Sequence, residues 1–140
     1  MAAICCVCLI SVSNANAMDW RRLESSALNG STISLDIDSF TIAANAYVIA
    51  SLLFDYKTVE TSGDASYRSE KRRTHFDCRN ERLADQTIVR YAGAAGHGEV
   101  VASMSRTSAQ AEAEIGAMDP GNPEHALILA VCALSTKDQH

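Results

Sequence analysis

Cys78 and Cys132 are the residues of this chain with covalent chemistry to do. The other three of its five cysteines, Cys5, Cys6 and Cys8, sit together at the amino end. An even pair in a protein bound for an oxidising compartment forms a structural disulfide, whereas a metal site would want more ligands. Joining Cys78 to Cys132 closes a loop of about 55 residues, and the chain-entropy relation values such a bridge at ~4 kcal/mol. That is a large share of the roughly 5–15 kcal/mol by which small domains are stable.

No other chemistry assembles from residue types and spacing. His75, His97, His125 and His140 lack ligand-like intervals, and a bare strand would point His75 and Cys78 to opposite faces. The serines form neither a G-x-S-x-G elbow nor an S-x-x-K pair, so Ser25, Ser26 and Ser62 read as solvated polar residues. Asp36 and Asp38 lie two apart and could make a carboxylate pair, but a polar outer strand face accounts for them. No glycine-rich loop of the phosphate-binding type precedes a helix. The expectation is a protein without catalytic residues, metal or cofactor.

The feature that stands out is a basic run inside an acidic chain. The protein carries 12 basic and 17 acidic side chains, net −5, which disfavours nucleic acid as a partner. Between positions 68 and 82 the sign reverses: Arg68, Lys71, Arg72, Arg73, Arg79 and Arg82 outnumber Glu70, Asp77 and Glu81. Such a reversal can steer an acidic partner or a polyanion towards the segment. The competing reading is an edge strand whose cations discourage sheet-to-sheet aggregation, and such an edge is also a natural homodimer seam.

The elements that must carry these residues follow from periodicity. Met1 to Val12 is apolar and uncharged, with no Lys or Arg ahead of it, and Ala15-Asn16-Ala17 supplies a small-x-small cleavage site. Residues 1–17 therefore read as a signal peptide and residues 18–140 as one exported domain, periplasmic or at the cell surface. The leader falls short of the about 20 residues a membrane helix needs, no second hydrophobic run of that length follows, and Cys5, Cys6 and Cys8 lack the small residue that precedes a lipidated cysteine.

Within the domain, Asn29-Gly30 supplies the positive φ of a tight hairpin turn before Ser31 to Asp38, where Ile33, Leu35 and Ile37 share a face. Tyr47 to Tyr56 reads as a central strand with Val48, Ala50, Leu52, Phe54 and Tyr56 together. Ser66 to Cys78 puts Arg72, Thr74, Phe76 and Cys78 opposite Lys71, Arg73, His75 and Asp77, with its second half buried. Leu83 to Tyr91 and Glu99 to Met104 complete the set, and Ser105 to Met118 reads as a connection with helical propensity but no apolar stripe. Asn122, Pro123 and Glu124 give cap, first-turn proline and first-turn acid for a helix from Pro123 to about Leu134. Leu127, Ile128, Val131 and Leu134 form its stripe, with Cys132 at the edge. The fold class is α+β: about six antiparallel strands in meander order, a C-terminal helix packed on the sheet, and a disulfide tying the two.

The order of short motifs resembles the bacterial surface-adhesin protein E family. They are Trp20, Leu35-Asp36-Ile37-Asp38, Leu53-Phe54-Asp55-Tyr56-Lys57, Phe76-Asp77-Cys78-Arg79-Asn80-Glu81-Arg82, Tyr91, Val100-Val101, and Asp119-Pro120-Gly121-Asn122 leading to Cys132. A second tryptophan expected near Ile115 to Met118 is absent. The resemblance implies a non-enzymatic binding module of the cell envelope, with a host matrix glycoprotein as partner. The alternative is a small secreted inhibitor of an envelope-degrading enzyme such as lysozyme, since such inhibitors also place a cysteine two residues after an aromatic.

Overall fold

The computed structural model describes residues 20–23, 31–43, 45–115 and 124–137. The leader assigned to residues 1–17, the Asn29-Gly30 turn and the helix-start residues 119–123 lie outside them. Six strands appear in chain order: β1 (Trp20–Arg22), β2 (Thr32–Ile42), β3 (Val48–Ser62), β4 (Ala65–Asp77), β5 (Arg82–Tyr91) and β6 (Val100–Ser105). Each pairs antiparallel with the next in one sheet ordered β1-β2-β3-β4-β5-β6. Two helices follow, α1 (Ser108–Ala113) and α2 (Glu124–Lys137). This is the expected α+β meander with its C-terminal helix.

Period-2 alternation decides which face is buried. Ile33, Leu35, Val48, Ala50, Leu52, Phe54 and Phe76 form the core side of the sheet. The stripe Leu127, Ile128 and Val131 of α2 closes over them, with Cys132 and Leu134 at its margin. Burial of this stripe against the sheet is what holds a 14-residue helix that would be marginal alone. The disulfide between Cys78 and Cys132, Cα atoms 5.7 Å apart, fixes α2 to the end of β4. Beside it His125 Nε2 meets Glu81 Oε2 at 2.8 Å, a second tie between α2 and the β4–β5 turn.

The edge-strand reading of the basic run is corrected. β4 is hydrogen-bonded along both sides, to β3 from Val48↔Phe76 to Ser62↔Ala65 and to β5 from Ser69↔Tyr91 to Asp77↔Arg82. Edges are provided by β1 and β6 instead, so this segment offers no open seam to a second copy. Its burial also extends further than periodicity indicates, because Tyr67, Ser69 and Glu70 are buried along with Thr74, His75, Phe76 and Asp77.

Register in β5 slips at one place. Pairing passes from Arg73↔Thr87 to Thr74↔Asp85, leaving Gln86 as the extra residue of a bulge. Its side chain meets His75 Nε2 at 2.8 Å, and His75 is fully buried. The Ser105 to Met118 connection contains α1, which lies over this spot with Ala111 fully buried. Thr107 and Gln110 form a reciprocal capping box at its start, and Arg106 pairs with Glu114 across it.

Candidate functional site

The six cations of the basic run do not form one patch, because alternation along β4 divides them. Arg72 points to the helix side; Lys71 and Arg73 point to the other. Arg68 is half-buried and donates from Nε to the Tyr56 carbonyl at 2.9 Å. Arg79 is exposed in the β4–β5 turn and Arg82 is half-buried at the start of β5. The two sides of the sheet then do different things.

On the helix side the charges neutralise one another. Glu70 is fully buried and accepts hydrogen bonds from Tyr56 Oη at 2.8 Å, Arg72 Nε at 2.6 Å and Arg90 Nε at 3.1 Å. Burial alone would raise its carboxyl, but the Arg72 charge and these donors outweigh it and hold Glu70 below the ordinary carboxylate range. Burial, then the Glu70 charge, pushes the Tyr56 phenol well above its usual value. Arg72 also reaches Asp85 at 3.4 Å and Glu124 of α2 at 3.7 Å, while its guanidinium lies 4.2 Å from the Phe54 ring. Asp85 and Glu70 hold the Arg72 proton more firmly than burial loosens it. Burial raises the Glu124 carboxyl and Arg72 opposes that rise. Arg90 stacks 4.8 Å from Tyr67, which meets Tyr56 edge-on at 5.7 Å. Every charge here has its partner, so the cluster locks α2 onto the sheet.

Among the described residues nothing covers the middle of the opposite side. Cross-strand register lines up Trp20, Asp36, Ser51, Arg73, Thr87 and Ser105 in one row, and Arg22, Ser34, Leu53, Lys71, Val89 and Ser103 in the next. A groove of about 200 Å³ runs here, walled by Trp20 and Tyr91 with Lys71, Arg73, Ser51 and Thr87 between them. Lys71 Nζ lies 6.0 Å from the Trp20 ring centroid and 5.3 Å from that of Tyr91. These are cation–π distances, which hold an ammonium without neutralising it.

The β5–β6 loop fixes Lys71 from above. Buried Ser69 donates to the Gly93 carbonyl at 2.6 Å and accepts from the Gly96 N–H at 2.8 Å, and Asp55 accepts from the Ala95 N–H at 3.1 Å. Gly96 has φ +75°, and a Cβ there would come within 2.7 Å of Lys71 Cε. The positive φ favours glycine at this position, and a Cβ there would displace the end of the lysine side chain.

Arg73 is half-buried and has no hydrogen bond or ion pair to a described residue. Asp36, one strand beyond Ser51, is buried rather than on the polar outer face expected for it, and it accepts from the Asp38 N–H at 3.2 Å. Among the described residues no group of three or more His, Cys, Asp or Glu is placed to hold a metal ion. No described helix is long and apolar enough to cross a membrane.

Trp20, Tyr91 and the Gly96 loop are the site residues that pattern reading left out of the basic segment. Trp20 and Tyr91 reach Lys71 only through pairing across five strands, and a single sequence carries no register for that. Trp20 in the first strand and Tyr91 closing the fifth were the available signal.

One face of the meander sheet is closed by a disulfide-tied helix; on the other, α1 and the β5–β6 loop flank a stretch where Lys71 and Arg73 lie with the Trp20 and Tyr91 rings. The chain belongs to the surface-adhesin protein E family, whose model matches residues 20–133. Solved structures of Haemophilus influenzae protein E share the fold. Crystal form II has a TM-score of 0.57 at 13% identity, covering 86% of this chain and 91% of that one. The selenomethionine form has a TM-score of 0.53 at 12% identity, covering 86% and 89%. A third structure has a TM-score of 0.53 at 13% identity, covering 89% and 90%. No curated protein matches the chain.

Proposed function

We propose that this chain is an exported, non-catalytic binding module of the cell envelope that meets a protein partner on the open face of its sheet. Family membership supports the adhesin character, and a host matrix glycoprotein is the partner class it suggests. The observation that carries the site is the contrast between Arg72, neutralised under α2, and Arg73, half-buried in the groove with no described partner. A guanidinium held partly out of water is stabilised by the anion it meets, which favours an acidic surface.

Binding of the purified protein to immobilised laminin and vitronectin tests this reading. The Lys71→Gln/Arg73→Gln double variant should associate more slowly than the unaltered protein, with the difference shrinking as salt rises. Inhibition of lysozyme with no matrix binding would replace the reading by that of a secreted enzyme inhibitor.

A further inference from the structure

We infer that the groove between Trp20 and Tyr91 is a carboxylate-reading site for an extended acidic segment, one that carries acids at alternate positions. The inference rests on the binding-module reading above and specifies what the open face recognises. Lys71 and Arg73 are two apart on one strand and project to one side, which sets their Cα atoms ~6.7 Å apart. Alternate residues of an extended peptide have the same spacing, so carboxylates at positions i and i+2 can face both cations at once.

The two cations are prepared differently. Lys71 is clamped between the rings of Trp20 and Tyr91 and under Gly96, so its ammonium loses little freedom on binding. Arg73 has a planar fork suited to a bidentate carboxylate, and Ser51 and Thr87 pair with it on either side, each bringing a hydroxyl donor. Two carboxylates on this face are already engaged by backbone N–H groups, Asp36 by Asp38 and Asp55 by Ala95. They leave the cations to an incoming chain. The groove's small volume admits side chains and leaves the peptide backbone above it.

Trp20 is the sole tryptophan, so its emission reports occupancy of the groove directly. Short synthetic peptides with Asp at alternate positions, the same peptides with Asn, and a sulfated heparin oligosaccharide are titrated against the purified protein. The alternating-Asp peptide should change Trp20 emission saturably and bind about tenfold or more tightly than its Asn counterpart, since each charge-assisted hydrogen bond contributes at least that factor. Arg73→Gln should lose about tenfold and Arg79→Gln, in the distant turn, nothing. Equal binding of the Asn peptide, no effect of Arg73→Gln, or tighter binding of the sulfated oligosaccharide would each overturn the inference. Should the double variant lose laminin or vitronectin while no acidic peptide binds, the proposed function stands and this inference falls.

Discussion

Lys71 and Arg72 are neighbours in sequence and lie on opposite sides of the sheet. Arg72 is sealed beneath α2 against Glu70, Asp85 and Glu124, while Lys71 lies between the Trp20 and Tyr91 rings on the open face. One residue step therefore separates a charge that holds the fold from the charge that the proposed partner would meet. Arg72→Gln should destabilise the protein by about 3 kcal/mol, because it strands the buried Glu70 carboxylate with Arg90 as its remaining cation. Lys71→Gln should cost only about 1 kcal/mol, for the ring contacts it gives up. Chemical denaturation of the two variants side by side checks the pair, and equal losses would contradict the division.

The bridge between Cys78 and Cys132 spans a sequence separation of 54 and holds the helix that covers the core. Cys132→Ser should cost about 2–4 kcal/mol. The measurement is the melting temperature of the unaltered protein with and without reductant, which should fall on reduction.

Acid should weaken the fold through Glu70. Its carboxyl is held below the ordinary range in the folded state, so the unfolded chain takes up a proton first as pH falls. The stability it contributes is complete above the unfolded carboxylate value and is lost as pH drops through the lower folded value. Thermal midpoints measured from neutral pH down to strongly acidic pH should decline in that window, and Glu70→Gln should flatten the decline while lowering the midpoint at neutral pH.

Export should remove residues 1–17 and leave Met18 first, as the uncharged apolar run and the Ala15-Asn16-Ala17 triplet indicate. Intact mass of the envelope-fraction protein decides it. A mass that includes Cys5, or added acyl chains, would reject the assignment.

Much of this architecture was legible before any coordinates, for reasons that differ by element. Val48, Ala50, Leu52 and Phe54 announce a buried strand face by period 2, and Leu127, Ile128 and Val131 announce a helix stripe by period 3.6. The pairing of Cys78 with Cys132 followed from counting. The central place of β4 was hidden by its own cations, since a strand dense in Arg and Lys looks solvated until Glu70 and Asp85 are found to neutralise Arg72. The α1 helix was announced by Thr107 and Gln110, three residues apart, a capping signal obscured by the absence of an apolar stripe. The groove was the least legible part, because Trp20 and Lys71 meet through three strand registers and each can slip.

The Cys78–Cys132 bond also sets how the molecule would carry a mechanical load. Tension entering through the C-terminal end would, without it, peel α2 away and then unzip β6 from β5 one hydrogen bond at a time. With the bridge in place, the covalent path bypasses everything between the two cysteines and delivers the pull to the end of β4. That strand is laced to β3 and β5 on both sides, so it must be sheared out of the sheet with many bonds breaking together. The same strand carries Lys71 and Arg73. A partner gripped there and an anchor pulling from the far end would strain one continuous line through the centre of the sheet, leaving its edges slack.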